Sequence, residues 1–331
     1  MSSGPFTTPT GDPALEAAVR SGLTAVETLL QETVKSDFPF ITEASRHLVD
    51  AGGKRFRPLL VLLAAQFGDP DAPGVVPSAV VVELTHLATL YHDDVMDEAD
   101  LRRGAVSANA RWDNTVAILT GDFLFARASD ILADLGPEAV RLQARTFERL
   151  VTGQIRETVG PLEGEDPVEH YLSVLADKTG SLIATSGRFG AMLAGADASR
   201  TDVMTRFGES IGIAFQLSDD LLDVLSETTD SGKVPGTDLR EGVPTLPVLL
   251  LRRNPRPEDA RLVDLLDAGL TENADHAEAL GLLRAHPVMH EAQAEVVRRA
   301  EQARHVLGPL PEGPAKDALA ALCDQLVGRT T

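Results

Sequence analysis

The sequence has 331 residues, of which 43% are hydrophobic, so the chain can bury the core of one large domain or of two. Its formal net charge of −20 disfavours nucleic acids and anionic membranes as partners of the whole surface. The single cysteine, Cys323, excludes a disulfide within the chain and a cysteine-based metal site. Because no apolar run has the length of a membrane span and the first residues lack the features of a signal peptide, we expect a cytoplasmic protein.

Helical periodicity dominates the chain. Residues 1–12 are polar, and we expect a flexible lead-in there, followed by a single domain over 13–331. From Pro13 onwards apolar residues recur with a period near 3.6, whereas the alternating pattern of strands is almost absent. The predicted helices cover 13–35, 39–51, 56–66, 76–96, 104–110, 114–134, 136–159, 167–194, 199–228, 243–252, 257–269, 273–285, 288–305 and 313–328. Twenty-residue helices span ~30 Å, so the pattern predicts an all-α bundle around a deep central cavity.

A cluster of charge ends the fourth predicted helix. Asp93 and Asp97 are four residues apart and share one helical face, and Asp94 lies about 100° round. Such like charges repel one another, and a hard divalent cation, Mg²⁺ above all, would compensate them with oxygen ligands. Arg102 and Arg103 follow directly and suit phosphate recognition. The alternative for this stretch alone is a solvated acidic helix end.

A second acidic cluster argues against a solvated helix end as the explanation of the first. Asp219, Asp220 and Asp223 repeat the pattern Asp-Asp-x-x-Asp inside an apolar segment over 213–225. Burying carboxylates there is costly unless a cation compensates them. Two such clusters can face each other across a cavity, which favours a diphosphate held through magnesium. A glycine-rich loop follows at 228–243, and we expect it to close over the substrate.

Six sequence blocks, in this order, resemble the trans-isoprenyl diphosphate synthases, and among them the long-chain polyprenyl diphosphate synthases. The blocks are GGKRFRP (52–58), HLATLYHDDVMDEADLRRG (86–104), GDFLFARA (121–128), DKTGSLI (177–183), FQLSDDLLD (215–223) and GKVPGTDLREGVPTLP (232–247). The resemblance implies an orthogonal helix bundle of the isoprenoid synthase type. It also implies a homodimer that condenses isopentenyl diphosphate head to tail with an allylic diphosphate, using three Mg²⁺ ions.

The resemblance also assigns roles to individual residues. It places the isopentenyl diphosphate at Lys54, Arg57, His86 and Arg103, and the allylic diphosphate at Arg102, Lys178 and Lys233. It implies that Asp93, Asp97 and Asp219 ligate the metal ions, while Asp94, Asp220 and Asp223 complete the metal sites by orienting water or ligands. Thr179 and Gln216 would face the developing carbocation. Arg55 is expected to face solvent or a salt bridge, and His92 is expected to be structural. Val243 departs from the family, which commonly has lysine there.

Small side chains before the first acidic motif predict a long product. In this family the growing chain passes beside the helix that ends in that motif, and short-chain members carry a bulky aromatic one turn upstream. Here Ala88, Thr89 and, a turn earlier, Thr85 are small. Phe123 and Phe125 are candidates for the floor of the channel, although both also fit ordinary core aromatics. We therefore expect thirty carbons or more.

Three alternatives differ in testable ways. A short-chain farnesyl or geranylgeranyl diphosphate synthase would share the chemistry and stop earlier. A class I terpene cyclase would need no second diphosphate site, against which Lys54, Arg57 and Arg103 argue. A non-catalytic subunit of a heteromeric synthase would have lost its acidic motifs, and both motifs are intact here. For an active synthase we expect quinone side chains as the destination and transient membrane contact during product release; the primer stays open.

Overall fold

The computed structural model describes residues 11–226 and 235–330, and most of these are helical. The helices are α1 (Pro13–Thr33), α2 (Pro39–Asp50), α3 (Phe56–Ala65), α4 (Val75–Met96), α5 (Ala108–Arg111), α6 (Asn114–Leu135), α7 (Pro137–Val159), α8 (Pro167–Leu175), α9 (Ser181–Leu193), α10 (Ala198–Leu225), α11 (Thr237–Arg240), α12 (Leu246–Arg253), α13 (Ala260–Ala268), α14 (Asn273–Arg284), α15 (Val288–Val306) and α16 (Pro314–Thr330). The predicted all-α class is confirmed. Within the described ranges no helix is long and apolar enough to cross a membrane.

The chain divides into two compact units. The first contains Met1–Glu148, Leu182–Gly208 and Leu307–Ala321; the second contains Arg149–Ser181, Glu209–Val306 and Leu322–Thr331. The single domain expected over 13–331 stays a prediction, and most of the expected lead-in lies outside the described residues.

Helix α4 forms the core of the first unit, because its apolar residues leave almost no exposed face. Helix α6 runs antiparallel to α4 in close contact. Gly74, just before α4, lies against Leu135 at the end of α6, whereas Gly121 lies against Ala88 and His92 near the end of α4. A Cβ atom at Gly121 would lie 2.3 Å from His92 Nε2, so only glycine permits this approach. The contact fixes the end of α4 that carries the first acidic motif.

An apolar cluster forms the core of the second unit. Its buried members come from α8, the later part of α10, and α11 to α15, and they include Leu217, Leu221, Leu246, Leu283 and Val296. The cluster surrounds the turns of α10 that carry the second acidic motif, so that motif projects from a helix whose other faces are buried.

One predicted helix was wrong, and another contains a local change of winding. The helix predicted over 104–110 is a short antiparallel hairpin, β1 (Leu101–Arg102) and β2 (Ala105–Val106), followed by α5. Arg103 and Gly104 form its turn with φ values of +54° and +77°, which is the conformation that two-residue hairpin turns favour. The helix predicted over 167–194 is formed by α8 and α9, with a π-helical turn at Ala176–Gly180 between them.

The predicted loop at 228–243 is only partly described, and Lys233 lies outside the described residues. From residue 237 the prediction was wrong, because Thr237–Arg240 is the short helix α11. The Asp223 carboxylate accepts the backbone N–H groups of Thr237 at 3.2 Å and Asp238 at 3.0 Å. A distant carboxylate thus caps this helix, which local sequence cannot show.

Candidate active site

The first acidic motif lies where α4 ends. The Asp97 N–H donates to the Asp93 carbonyl at 2.8 Å and closes the last turn. Asp93 is half-buried, and the Asp97 side chain is 54% exposed, so both carboxylates can be reached from solvent. The carbonyl end of a helix carries partial negative charge, which adds to that of the carboxylates. This helix end therefore attracts cations.

Asp94 points inward and pairs with Arg102. Arg102 Nε donates to Asp94 Oδ1 at 2.5 Å, and Arg102 Nη2 lies 3.9 Å from Asp97 Oδ2. Burial raises the pKa of the Asp94 carboxyl, while the Arg102 guanidinium opposes that shift. The other Asp94 oxygen, Oδ2, is buried without a hydrogen-bond partner. Asp94 thus orients Arg102 and keeps one acceptor oxygen uncommitted.

A buried carboxylate, Glu83, organises three arginines on the same unit. Arg55 Nη1 donates to Glu83 Oε1 at 2.7 Å, and Arg103 Nη2 lies 3.8 Å from the same oxygen. Arg55 also pairs with Glu27, which confirms the salt-bridge alternative expected for Arg55. Burial and the nearby Arg103 lower the pKa of Arg57 to about 10, and Glu83 opposes that shift. Glu83 and Glu27 supply two carboxylates against three guanidiniums, so the group still has an excess of positive charge.

Arg57 differs from the other two arginines, because its guanidinium makes no hydrogen bond within the part of the chain that the structure describes. Its Nε is buried without a hydrogen bond, and it forms no ion pair with the described residues. Arg103 is held from behind, because its Nη1 donates to the carbonyls of Leu48 and Gly52. Gly53 has φ +152°, and a Cβ there would lie 2.9 Å from Arg103 Cζ. The paired glycines therefore make room for Arg103, as expected of a turn that binds an anion.

His86 belongs to the same positive group. Burial, and then the nearby Arg57 and Arg103, lower the pKa of His86 well below its ordinary value. The ring is therefore neutral at pH 7, and it can donate or accept one hydrogen bond without adding charge. Lys54 is half-buried in the same turn as Arg55. The residues predicted for one diphosphate, Lys54, Arg57, His86 and Arg103, thus come from one region of the first unit.

The second acidic motif lies on α10, in the second unit, and its three carboxylates have different surroundings. Asp219 is 35% exposed and accepts from Arg329 Nη2 at 2.7 Å. Asp220 is buried and accepts from the Tyr171 hydroxyl and from Gln216 Nε2. Burial raises the pKa of Asp220 to about 6, against the effect of these two hydrogen bonds. Asp219 and Asp223 are both half-buried, but Asp223 caps α11 whereas Asp219 contacts a single side chain, that of Arg329.

The π-helical turn positions Lys178 and Thr179. Thr179 Oγ1 donates to Gln216 Oε1 at 3.2 Å, and Gln216 in turn donates to Asp220 at 2.8 Å. Lys178 Nζ pairs with Glu157. The predicted residues Thr179, Gln216 and Asp220 therefore form one hydrogen-bonded chain. Val243, where the family commonly has lysine, is 39% exposed.

Arg149 anchors this turn from α7. Its Nε donates to Asp177 Oδ1 at 2.8 Å, and its Nη2 donates to Glu209 Oε1 at 2.6 Å. Gly153, one helical turn further, brings α7 against the turn, where a Cβ would lie 2.7 Å from the backbone nitrogen of Lys178. Contacts from α7 thus fix the position of the widened turn.

The available donors fit a hard divalent cation. In the described ranges no three acidic, histidine or cysteine side chains are already gathered as a metal-binding group. In the first unit, Asp93 and Asp97 supply carboxylate oxygens that solvent can reach, and Asp94 Oδ2 is an acceptor with no partner among the described residues. In the second unit, Asp219 supplies a partly exposed carboxylate. Mg²⁺ keeps several waters and uses few protein carboxylates, so the oxygen donors of each unit suit it.

The residues predicted to set product length differ in accessibility. Ala88 is fully buried, whereas Thr89 is half-buried and donates to the His86 carbonyl at 2.8 Å. Thr85 is buried and accepts from Gln143 Nε2 at 2.8 Å. Phe123 is half-buried on α6. Thr89 is therefore the position among the three on α4 where a larger side chain has most room.

Sequence reasoning missed Glu83, Tyr171 and Arg149. Glu83 gives the clearest signal, since it is a lone charge inside the apolar run that precedes His86. Tyr171 and Arg149 lie far in sequence from the acidic residues that they contact, so their spacing carries no signal.

Known proteins resemble the whole chain. A model of the polyprenyl synthetase family matches residues 38–283. The chain is 51% identical over 320 residues to a nonaprenyl diphosphate synthase of Mycobacterium tuberculosis, with 96% of each protein covered. It is 43% identical over 318 residues to a dimethylallyltranstransferase of the same organism, with 96% of this chain and 97% of that protein covered.

A solved structure agrees in fold. The geranylgeranyl pyrophosphate synthase of Corynebacterium glutamicum, complexed with calcium and isoprenyl diphosphate, matches with a TM-score of 0.87 and 47% sequence identity. The match covers 97% of this chain and 98% of that one.

Proposed function

Because the chain belongs to the polyprenyl synthetase family, we propose that it condenses isopentenyl diphosphate with an allylic diphosphate and repeats the step to a long-chain all-trans polyprenyl diphosphate. The proposal is supported by a family match over most of the chain and by the 51% identical nonaprenyl diphosphate synthase. It is also supported by the surroundings of the predicted site residues.

The observation that carries this proposal is the separation of two neighbouring arginines by the β1–β2 hairpin. Arg102 lies in a strand and pairs with Asp94 of the acidic motif, whereas Arg103 lies in the turn and belongs to the Glu83 group. Consecutive side chains thus serve two different anion-binding regions of one unit. Two diphosphate sites are what a condensation needs, and a terpene cyclase needs only one.

In the reaction the allylic carbon–oxygen bond breaks, and the isopentenyl double bond then attacks the allylic cation. Arg57 and Arg103 hold the isopentenyl diphosphate, with the neutral His86 ring beside it. Arg102, Lys178 and Lys233 hold the allylic diphosphate and offset the charge that develops on it as it leaves. Thr179 and Gln216, which hydrogen-bond to each other, turn oxygen atoms towards the cation. The proton released from the new chain passes to the departing diphosphate.

Activity depends on divalent cations, which we take to be three Mg²⁺ ions held by Asp93, Asp97 and Asp219. When bound, these ions supply Lewis-acid neutralisation of a leaving group that is otherwise poor. Asp94 and Asp220 support this arrangement by fixing Arg102 and Gln216 in place. Asp223 acts indirectly, because its carboxylate caps α11.

A long product is supported by the side chains that precede the acidic motif. Thr85, Ala88 and Thr89 leave no aromatic barrier on this part of α4. We propose thirty carbons or more, destined for quinone side chains. The test is the product mass after incubation of the purified chain with isopentenyl diphosphate, farnesyl diphosphate and Mg²⁺. Products of fifteen or twenty carbons would refute the long-chain assignment, and only the twenty-carbon product would agree with the C. glutamicum relative's name. No prenyl product at all would refute the proposed function.

We propose a homodimer as the working form, with transient membrane contact when the product leaves. Exposed apolar side chains on the first unit support an assembly: Ile118 is 42% exposed, Leu119 60% and Phe147 37%. The alternative is a heteromeric enzyme, since one relative, from Geobacillus stearothermophilus, is named as component 2 of a heptaprenyl diphosphate synthase. Light scattering gives the mass of the purified chain, and an activity assay on the same sample shows whether this chain is sufficient. An active dimer would support the homodimer, whereas an inactive chain would favour a missing partner.

A further inference from the structure

Arg329 is hydrogen-bonded to the carboxylate of Asp219, which the proposed reaction assigns to a metal ion. Its Nη2 donates to Asp219 Oδ1 at 2.7 Å, and its guanidinium carbon lies 5.7 Å from the centre of the Phe215 ring. Phe215 and Asp219 are four residues apart on α10 and so share a face. The Arg329 and Asp219 side chains are 26% and 35% exposed, which leaves the contact partly shielded from water.

The charge of Arg329 matches a need of the second acidic motif. Asp219 is adjacent to Asp220, which is buried, so the motif places two carboxylates side by side. A cation beside Asp219 therefore relieves repulsion within the motif. A guanidinium does this by a hydrogen-bonded contact, and a divalent ion would do it by coordination. The two cannot use Asp219 Oδ1 in the same geometry, so they compete for it.

A second feature of Arg329 indicates an anion. Its Nη1 is buried and has no hydrogen-bond partner among residues 11–226 and 235–330. An arginine presents its N–H groups as a fork that fits phosphate oxygens in pairs, and here only one arm of the fork is occupied. The free arm lies on the residue that contacts the second acidic motif, and the proposed function brings a diphosphate to that motif.

We propose that Arg329 is an internal counter-ion for Asp219. When a divalent cation binds the Asp219 carboxylate, Arg329 leaves that carboxylate and binds the diphosphate that the cation carries. The inference rests on the proposed function. Asp219 exchanges a charge of +1 for one of +2, and Arg329 exchanges a carboxylate for phosphate oxygens.

The surroundings of Arg329 allow this exchange with little movement. Leu322, Cys323 and Leu326, in the preceding turns of α16, are fully buried. Arg304 pairs with Asp324 and holds the helix from α15. Only the end of α16, where a helix frays most easily, carries Arg329. Rotation of one long side chain is then enough to leave Asp219.

The test is divalent-ion binding measured without any substrate, by Mn²⁺ titration followed by electron paramagnetic resonance. R329Q keeps a polar side chain that can donate hydrogen bonds and removes the competing charge, so we expect Mn²⁺ to bind about threefold more tightly or better, the scale of one partly exposed ion pair. R329K keeps the charge, and we expect its Mn²⁺ affinity to stay near that of the wild type. R252Q is the matched control, because Arg252 forms an exposed ion pair with Asp267 in the same unit. Circular dichroism checks that each variant is folded.

A second titration separates the two halves of the proposal. With inorganic pyrophosphate and Mn²⁺ together, R329Q and R329K should both bind pyrophosphate more weakly than the wild type, since neither has the guanidinium fork. In a D219N background, R329Q should no longer change Mn²⁺ affinity. Unchanged Mn²⁺ affinity in R329Q, or a change equal to that in R252Q, overturns the proposal that Arg329 is a counter-ion for Asp219. Unchanged pyrophosphate affinity in R329Q and R329K overturns the proposal that Arg329 then binds the diphosphate. If the wild type makes prenyl products while these affinities do not move, only this inference fails; absence of prenyl products is a failure of the proposed function.

Discussion

Replacing Glu83 by glutamine tests whether one buried carboxylate holds the arginine group together. E83Q keeps the shape of the side chain and removes the charge that faces Arg55 at 2.7 Å and Arg103 at 3.8 Å. Only 2% of the Glu83 side chain and 9% of the Arg55 side chain are exposed, so the pair is buried. Removing one partner of a buried pair costs about 3–5 kcal/mol. Because Arg55 keeps its contact with Glu27, we expect the lower end, about 3 kcal/mol.

The matched control for this prediction is E27Q. Glu27 pairs with the same guanidinium at 3.0 Å, but its side chain is 36% exposed. Solvent weakens such a pair, and we expect a loss of about 0.2–1 kcal/mol. Urea denaturation followed by far-ultraviolet circular dichroism measures both variants. Equal losses in E83Q and E27Q would show that Glu83 does not organise the group, whatever its burial.

Four further predictions address the reaction and its pH dependence. D93A should abolish turnover with an unchanged circular dichroism spectrum, and EDTA should do the same reversibly; near-wild-type activity would contradict the metal assignment. R57A should raise KM for isopentenyl diphosphate far more than for the primer, and K178A should show the opposite bias; equal effects on both substrates would refute the two-site assignment. T89F should shorten the product without stopping the first condensation, and an unchanged product mass would exclude Thr89 from the channel. Because the folded protein holds the His86 pKa well below 6.5 and the unfolded chain does not, the unfolded chain binds more protons as pH falls, and stability drops below about pH 6.5. H86Q should reduce the loss of Tm between pH 7.5 and 5.5, and an equal loss in both proteins would contradict this origin.

The sequence predicted the helices well where apolar periodicity is long and caps are local. Helix α6 begins at Asn114, directly after Asp113, whose carboxylate accepts from the Val116 N–H, and α8 begins at Pro167 after Asp166, which caps it in the same way. The predictions failed where a group distant in sequence, or a backbone conformation, determines the local structure. The hairpin at 101–106 needs a positive φ at Arg103, which helical periodicity does not encode, and α11 depends on Asp223 for its cap.

The composition of the site was more predictable than the connections within it. Clustered charges such as Asp93 and Asp97 are visible in the sequence because a helix repeats every few residues. Which of two neighbouring carboxylates turns inward is not visible, and this separates Asp94 from Asp93. The partners of Asp220 and Asp177 lie many residues away, so only folding brings Tyr171 and Arg149 to them.

Glycines on α6 and α7 allow these helices to approach two segments of the candidate site closely. This close approach affects how the activity of glycine variants would be interpreted. Gly121 admits the ring of His92, the neighbour of Asp93, and Gly153 admits the backbone of Lys178. A methyl group at Gly121 would displace the His92 ring, and one at Gly153 would displace the Lys178 backbone, while the cores of both units stayed filled. A displacement of about 1 Å in a catalytic group can cost a hundredfold in rate. A mutational screen scored on growth or turnover would therefore place Gly121 and Gly153 beside the aspartates, although neither glycine carries a functional group.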